Sequence, residues 1–182
     1  CIVVDDIQDG FAALARGVVE AAPDLTVIGI TGSSGKTSTK DLLGQVLSAS
    51  APTVAPQGSY NSEVGVPLTV TRITPETRFL VVEMGARGIG HITYLTEIAP
   101  PQVAMVLNVG SAHLGEFGSR EAIATAKAEL VRALDSDGLA VLNQDDPAVL
   151  AMAEQTRGEV VTVSAAGDPT AGVRAEEVEL DA

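Results

Sequence analysis

Along the chain, short runs that are apolar throughout alternate with longer stretches whose apolar positions recur at helical spacing. The apolar runs are Thr26–Thr31, Thr53–Ala55, Phe79–Met84, Val103–Val109, Leu139–Asn143 and Val160–Val163. Runs without polar alternation read as strands covered on both faces. The stretches Gly10–Ala21, Lys36–Ala49, Glu63–Arg72, Gly88–Ala99, Ser119–Leu134 and Pro147–Arg157 read as helices. Strands and helices in alternation predict an α/β fold, with a mostly parallel, doubly wound sheet. Cys1–Asp9 reads as a short strand and linker, and the acidic Val173–Leu180 shows weak strand alternation that could open a further sheet.

The 182 residues are enough for one domain with a packed interior, and 46% of them are hydrophobic. With 3% aromatic residues and no Trp, that interior must be built from Val, Ile, Leu and Ala. The formal charge of −13 argues against a general nucleic-acid-binding surface. An anionic substrate would need a local cluster of cations, or a metal, to offset that field. The single Cys allows no internal disulfide, and no apolar run approaches the ~20 residues of a membrane span. A cytoplasmic protein is expected.

Thr26–Thr31 leads into Gly32-Ser33-Ser34-Gly35-Lys36-Thr37-Ser38 and then a helix. Strand, glycine loop and helix in that order form the context of a phosphate-binding loop. Backbone N–H groups of such a loop curl around phosphate oxygens, and the helix N-terminus adds partial positive charge. Lys36 would reach the terminal phosphates of a nucleotide, and the Thr37 hydroxyl would help hold Mg²⁺. The longer P-loop pattern has a further Gly where this chain has Ile30. The bland alternative is a polar turn with a solvated lysine.

Three more polar groups fall at or beyond strand ends, where doubly wound sheets bind ligands. Glu83 closes an apolar run, where a carboxylate is costly unless it is paired, metal-bound or already solvated in a loop. His113 follows Val103–Val109 and reads as a metal or phosphate contact, or as an ordinary loop histidine. Lys127 shares a helical stripe with Ile123, Leu130 and Leu134. Buried there, it would have a depressed pKa and could react with CO₂ to give a metal-binding carbamate. Periodicity alone favours a lysine whose stem packs while its head snorkels to water. His91 receives no role.

Taken together, Thr31-Gly-Ser-Ser-Gly-Lys-Thr-Ser-Thr-Lys40, Tyr60-Asn-Ser-Glu-Val-Gly-Val-Pro-Leu-Thr69, Val82-Glu-Met-Gly-Ala86, Ala112-His-Leu-Gly-Glu-Phe-Gly-Ser119 and Ala126-Lys-Ala-Glu129 resemble the Mur ligase family of ATP-dependent amide-bond ligases. The resemblance implies that Gly32–Ser38 hold ATP, with Lys36 as the phosphate-loop lysine. It implies that Thr37, Glu83, His113 and a carbamylated Lys127 hold Mg²⁺, with Lys36, Glu83, His113 and Lys127 as the catalytic set. Asn61 would approach phosphates or the muramyl substrate, and Asn143-Gln-Asp-Asp146 would be a turn and helix cap. Within the family the blocks are most similar to the branch that joins D-alanyl-D-alanine to a UDP-N-acetylmuramoyl tripeptide through an acyl phosphate. Those two molecules are the expected partners of a monomeric enzyme of peptidoglycan precursor synthesis.

Residues 1–23 are then expected to be a linker and the end of an upstream UDP-sugar-binding domain, and 24–182 a central ATP-binding domain incomplete at its C-terminal end. Such a segment is expected to be inactive in isolation. Where relatives have two adjacent Asn, this chain has Asn61-Ser62. Competing readings are a folylpolyglutamate synthase-like ligase, or a P-loop kinase or nucleotide-switch module without amide-bond chemistry.

Overall fold

In a computed structural model, which describes residues 3–110 and 114–178, seven strands form one sheet in the order β2-β3-β1-β4-β5-β6-β7. These are β1 (Thr26–Thr31), β2 (Thr53–Val54), β3 (Phe79–Glu83), β4 (Val103–Val106), β5 (Leu139–Asn143), β6 (Glu159–Ser164) and β7 (Val173–Arg174). Every neighbouring pair is parallel. Parallel neighbours require crossovers, and helices supply most of them. The helices are α1 (Ile7–Glu20), α2 (Lys36–Ser48), α3 (Gly65–Val70), α4 (His91–Ile98), α5 (Leu114–Phe117), α6 (Arg120–Arg132) and α7 (Pro147–Leu150).

The two faces of the sheet are unequal. On one, Val27, Leu80, Val82, Ala104, Val106, Ala140 and Leu142 join buried residues of α1, α3, α4, α6 and α7 in a single core cluster. On the other, Ile28, Ile30 and Val81 are covered by Leu43 and Leu47 of α2. Gly29 faces the larger layer, and a Cβ there would stand 2.9 Å from Leu130 Cδ1 of α6. The central strand therefore carries glycine so that α6 can pack close to it.

Several expected boundaries shift. The strand expected within Cys1–Asp9 gives way to α1, which starts at Ile7 because the Asp6 carboxylate accepts from Gln8 N and Asp9 N. Ala12 and Ala15 of α1 are fully buried in the main core. The helix expected over Pro147–Arg157 is α7 followed by a 3₁₀ turn, Ala151–Gln155. The acidic tail opens no further sheet over its described residues, because β7 extends the existing one beside β6.

One buried acid fixes the packing of two helices. Glu129 of α6 is 6% exposed, and its carboxylate accepts from Gly90 N (2.6 Å), Thr93 N (2.8 Å) and Thr93 Oγ1 (3.0 Å). It thus caps the N-terminus of α4 from another helix. Glu129→Ala leaves those donors without a partner and is expected to cost about 2–4 kcal/mol. That corresponds to a thermal midpoint lower by roughly 5–15 °C for a chain of this size. A midpoint within about 1 °C of wild type in a calorimetric melt would show that the cap carries no stability.

Candidate functional site

The loop after β1 is shaped by contacts it makes at once with β4 and α2. Gly35 adopts φ +82° at the N-cap of α2, a conformation that favours glycine. A Cβ on Gly32 would come within 3.0 Å of Leu107 Cβ and 3.2 Å of Ser34 O. Just past β4, Asn108 Oδ1 accepts from Ser33 N (2.9 Å) and Ser34 N (3.0 Å), and its Nδ2 donates to Ser34 O (3.2 Å). Gly110 N donates to Ser33 Oγ (2.9 Å). Lys36 folds back over the loop and donates to Gly32 O at 2.7 Å. Burial holds its pKa below the ordinary lysine value, against the opposing pull of the Glu83 carboxylate.

Glu83 ends β3, next to β1 in the sheet, and is fully buried. Its Oε2 accepts from Thr37 Oγ1 (3.2 Å) and Ser59 Oγ (3.1 Å). Its Oε1 is buried and accepts no hydrogen bond, with Lys40 Nζ 3.8 Å away. Asn61 Nδ2 donates to Ser59 Oγ (2.8 Å), and Gly85 N donates to Asn61 O (2.9 Å). The 56–61 loop is thereby laid across the carboxyl ends of β1 and β3. A hydroxyl beside a buried carboxylate oxygen, Thr37 Oγ1 against Glu83 Oε2, is a hard-oxygen donor set, and it fits a divalent cation such as Mg²⁺.

Lys127 of α6 is 6% exposed. Its head does not snorkel to open solvent. It lines a pocket of ≈ 210 Å³ together with Gly32, Ser33, Lys36 and Asn61. Burial, and secondarily the charge of Lys36, bring its pKa down to about 8. The structure therefore draws Lys36, Asn61 and Lys127 to one pocket, with Thr37 and Glu83 hydrogen-bonded beneath it. Ser34 and Ser38 lie exposed at the start of α2. His113 lies outside the described residues.

The pocket also holds side chains to which the sequence reading gave no role. His91 Nδ1 stands 3.0 Å from Glu63 Oε1, and Arg87 lines the same wall. Asn108 was missed as well, although it lies two residues past the strand paired with β1. Asn143, read as a turn element, donates from Nδ2 to Leu107 O (2.8 Å), and Asp146 caps α7. A broader groove of ≈ 520 Å³ between α1 and residues 73–75 is mostly apolar and lined by no titratable side chain.

A glycine loop between a buried parallel strand and a helix, its lysine folded over it and a carboxylate on the adjacent strand, defines a P-loop α/β domain. Comparison with known proteins narrows the class. The chain belongs to the Mur ligase family: the model of the Mur ligase middle domain matches residues 30–181. It is 58% identical over 172 residues to the UDP-N-acetylmuramoyl-tripeptide–D-alanyl-D-alanine ligase of Mycobacterium tuberculosis H37Rv, covering 93% of this chain and 33% of that protein. A crystal structure of MurF from Acinetobacter baumannii superposes with a TM-score of 0.91 at 37% identity, covering 98% of this chain and 39% of that one. MurF from Thermotoga maritima in complex with ADP superposes with a TM-score of 0.83 at 37% identity, covering 91% and 38%. The chain spans about a third of the length of the curated relatives it matches.

The depressed pKa of Lys127 has a consequence for stability. Its folded-state pKa of about 8 lies below the ordinary 10.5, so between those values the unfolded chain binds the extra proton. Below pH 8 both states are protonated and the folded chain bears the full penalty, on the order of 3 kcal/mol. The penalty is relieved as pH rises from 8 to 10.5. Lys127→Met is therefore expected to raise the thermal midpoint by roughly 5–10 °C at pH 7 in CO₂-free buffer with a chelator. The gain should shrink to near zero by pH 10.5. A gain that stays constant across this range would show that Lys127 is not desolvated.

Proposed function

We propose that this segment is the nucleotide-binding core of an ATP-dependent ligase that joins D-alanyl-D-alanine to a UDP-N-acetylmuramoyl tripeptide in peptidoglycan precursor synthesis. The observation that carries the reading is Lys36, Thr37, Glu83 and Lys127 gathered at one end of the sheet around a phosphate loop. The relatives support it over a folylpolyglutamate synthase-like ligase or a kinase-like module, since a UDP-N-acetylmuramoyl-tripeptide–D-alanyl-D-alanine ligase is 58% identical over 93% of the chain. The ATP that such a reaction consumes supports a cytoplasmic setting.

A carboxylate is a poor acyl donor because oxide is a poor leaving group. Its oxygen attacks the γ-phosphorus of ATP, the bond to the β–γ bridging oxygen breaks, and ADP leaves. The amine of D-alanyl-D-alanine then attacks the acyl phosphate carbonyl, and inorganic phosphate departs as the amide forms. Lys36 and the loop N–H groups orient and neutralise the transferred phosphoryl group. Thr37 and Glu83 would hold Mg²⁺, which supplies further neutralisation of the phosphate charge. Asn61, on the loop that Ser59 ties to Glu83, would approach the phosphates or the muramyl substrate.

Lys127 enters as a carbamate: its neutral amine adds to CO₂, loses a proton and becomes a two-oxygen anion. A pKa near 8 leaves a usable fraction of free amine at neutral pH. The lysine lines a pocket of ≈ 210 Å³, which leaves space for the added group.

A chimaera tests the reading directly. When these residues replace the matched 172-residue segment of the M. tuberculosis relative, it is expected to make the amide bond, with product followed by mass spectrometry. A chimaera that folds and binds ADP but makes no amide would overturn the assignment. Within it, Lys127→Ala should lose most activity and regain part of it with added acetate, and Lys127→Arg should stay inactive. Near-normal turnover by Lys127→Arg would rule out the carbamate.

A further inference from the structure

Lys40 takes part in no step above. It lies one helical turn after Lys36 on α2, and with Leu43 and Leu47 it forms the inward stripe of that helix. A lysine so placed ordinarily lays its stem on the core and carries its ammonium to water. Lys40 is instead 0% exposed, the most voluminous of the fully buried side chains described. Its Nζ donates to Pro56 O and to Gly58 O (3.0 Å), lies 2.9 Å from Asp41 Oδ1, and stands 3.8 Å from Glu83 Oε1. Gly58, at φ +83°, turns the loop so that Ser59 Oγ reaches the other oxygen of the same carboxylate. Lys40 and Glu83 therefore grip the 56–61 loop from two sides.

The two carboxylate oxygens are thereby given different work. Oε1 faces a fixed cation, and Oε2 faces the hydroxyls of Thr37 and Ser59. A carboxylate wholly out of water needs a counter-charge within reach, and a lysine that cannot leave its site supplies one permanently.

We propose that Lys40 is a positioning residue. It provides the built-in counter-charge of Glu83 and latches the 56–61 loop, so that Oε2 is presented beside Thr37 to the divalent cation of a bound nucleotide. The inference rests on the nucleotide reading above.

Lys40→Met, Glu83→Gln and the double variant, made in the 182-residue chain, separate the possibilities. Lys40→Met leaves a buried carboxylate without its partner and should lower the thermal midpoint by about 10 °C. Adding Glu83→Gln removes the stranded charge and should recover at least half of that loss. A double variant no more stable than Lys40→Met would reduce Lys40 to a loop anchor and overturn the charge pairing. Should Lys40→Met fail to fold, a double variant that folds supports the pairing and one that also fails refutes it. The second readout is ADP affinity of the same variants carried in the chimaera with the M. tuberculosis relative, by calorimetry, with Mg²⁺ and with chelator. Lys40→Met should lose about tenfold of the Mg²⁺-dependent gain while its metal-free affinity stays unchanged. A full Mg²⁺-dependent gain in Lys40→Met overturns the positioning role. Failure of the wild-type chimaera to bind ADP at all would count against the nucleotide reading, while the stability cycle still reports on Lys40 and Glu83.

Discussion

A carboxylate taken wholly out of water must find donors or a positive charge within a few ångströms, and here that requirement organises the ligand end of the sheet. Glu83 sits at the end of β3 because Phe79–Val82 before it are strand residues packed on both faces. Pairing of β3 with β1 puts it beside the phosphate loop, with Ile30 opposite Glu83 in register. Thr37 on α2, Ser59 on the following loop and Lys40 one helical turn beyond Lys36 all turn toward it. The desolvation cost of one acid is thus offset by groups from a helix and a loop, which are held together in return. The same acid opposes the burial of Lys36, so the charges of the site depend on one another.

The strand order explains why this happens at one end of one strand pair. From β1 the chain runs outward to β2, returns through β3 and then crosses to β4 on the far side of β1. The point beyond β1, where successive connections depart in opposite directions, leaves a crevice at the carboxyl ends of the strands. Asn108, just past β4, enters that crevice from one side, and Glu83 and the 56–61 loop enter from the other. An overall charge of −13 is consistent with this arrangement, because Lys36, Arg87 and Lys127 are concentrated in one small pocket.

What could be read from the chain, and what could not, follows the sequence range of each interaction. Strands such as Phe79–Glu83 announce themselves, since a run covered on both faces has no polar alternation, whereas Leu139–Asn143 is as apolar in sequence yet buries only Ala140 and Leu142. The phosphate loop is local as well, held in consecutive residues between strand and helix. Roles that depend on distant partners leave weaker signals. Asn108 meets Ser33 across 75 positions, and nothing in Leu107-Asn108-Val109 alone reveals it. Lys40 carried a signal, an inward stripe with Leu43 and Leu47, but the same spacing describes a snorkelling lysine. Only the carbonyls of Pro56 and Gly58 distinguish the two. His91 looked like an ordinary helix residue until α4 was seen to begin there, which brings its ring to Glu63 in the pocket wall.

Helix α6 shows how two buried charges of opposite sign are treated differently on one element. Glu129 has three donors from the start of α4, so its charge is satisfied and its position fixed. Lys127, two residues earlier, has a second cation, Lys36, as its electrostatic neighbour, which lowers its pKa along with burial. A structural lysine would be expected to gain an acid from its surroundings, as Lys40 does. Anchoring α6 through Glu129 keeps Lys127 on the pocket wall, and among the described residues no acid is ion-paired with its amine. A lowered pKa is the condition that the proposed carbamate requires, and burial in the helix's packing is its first cause.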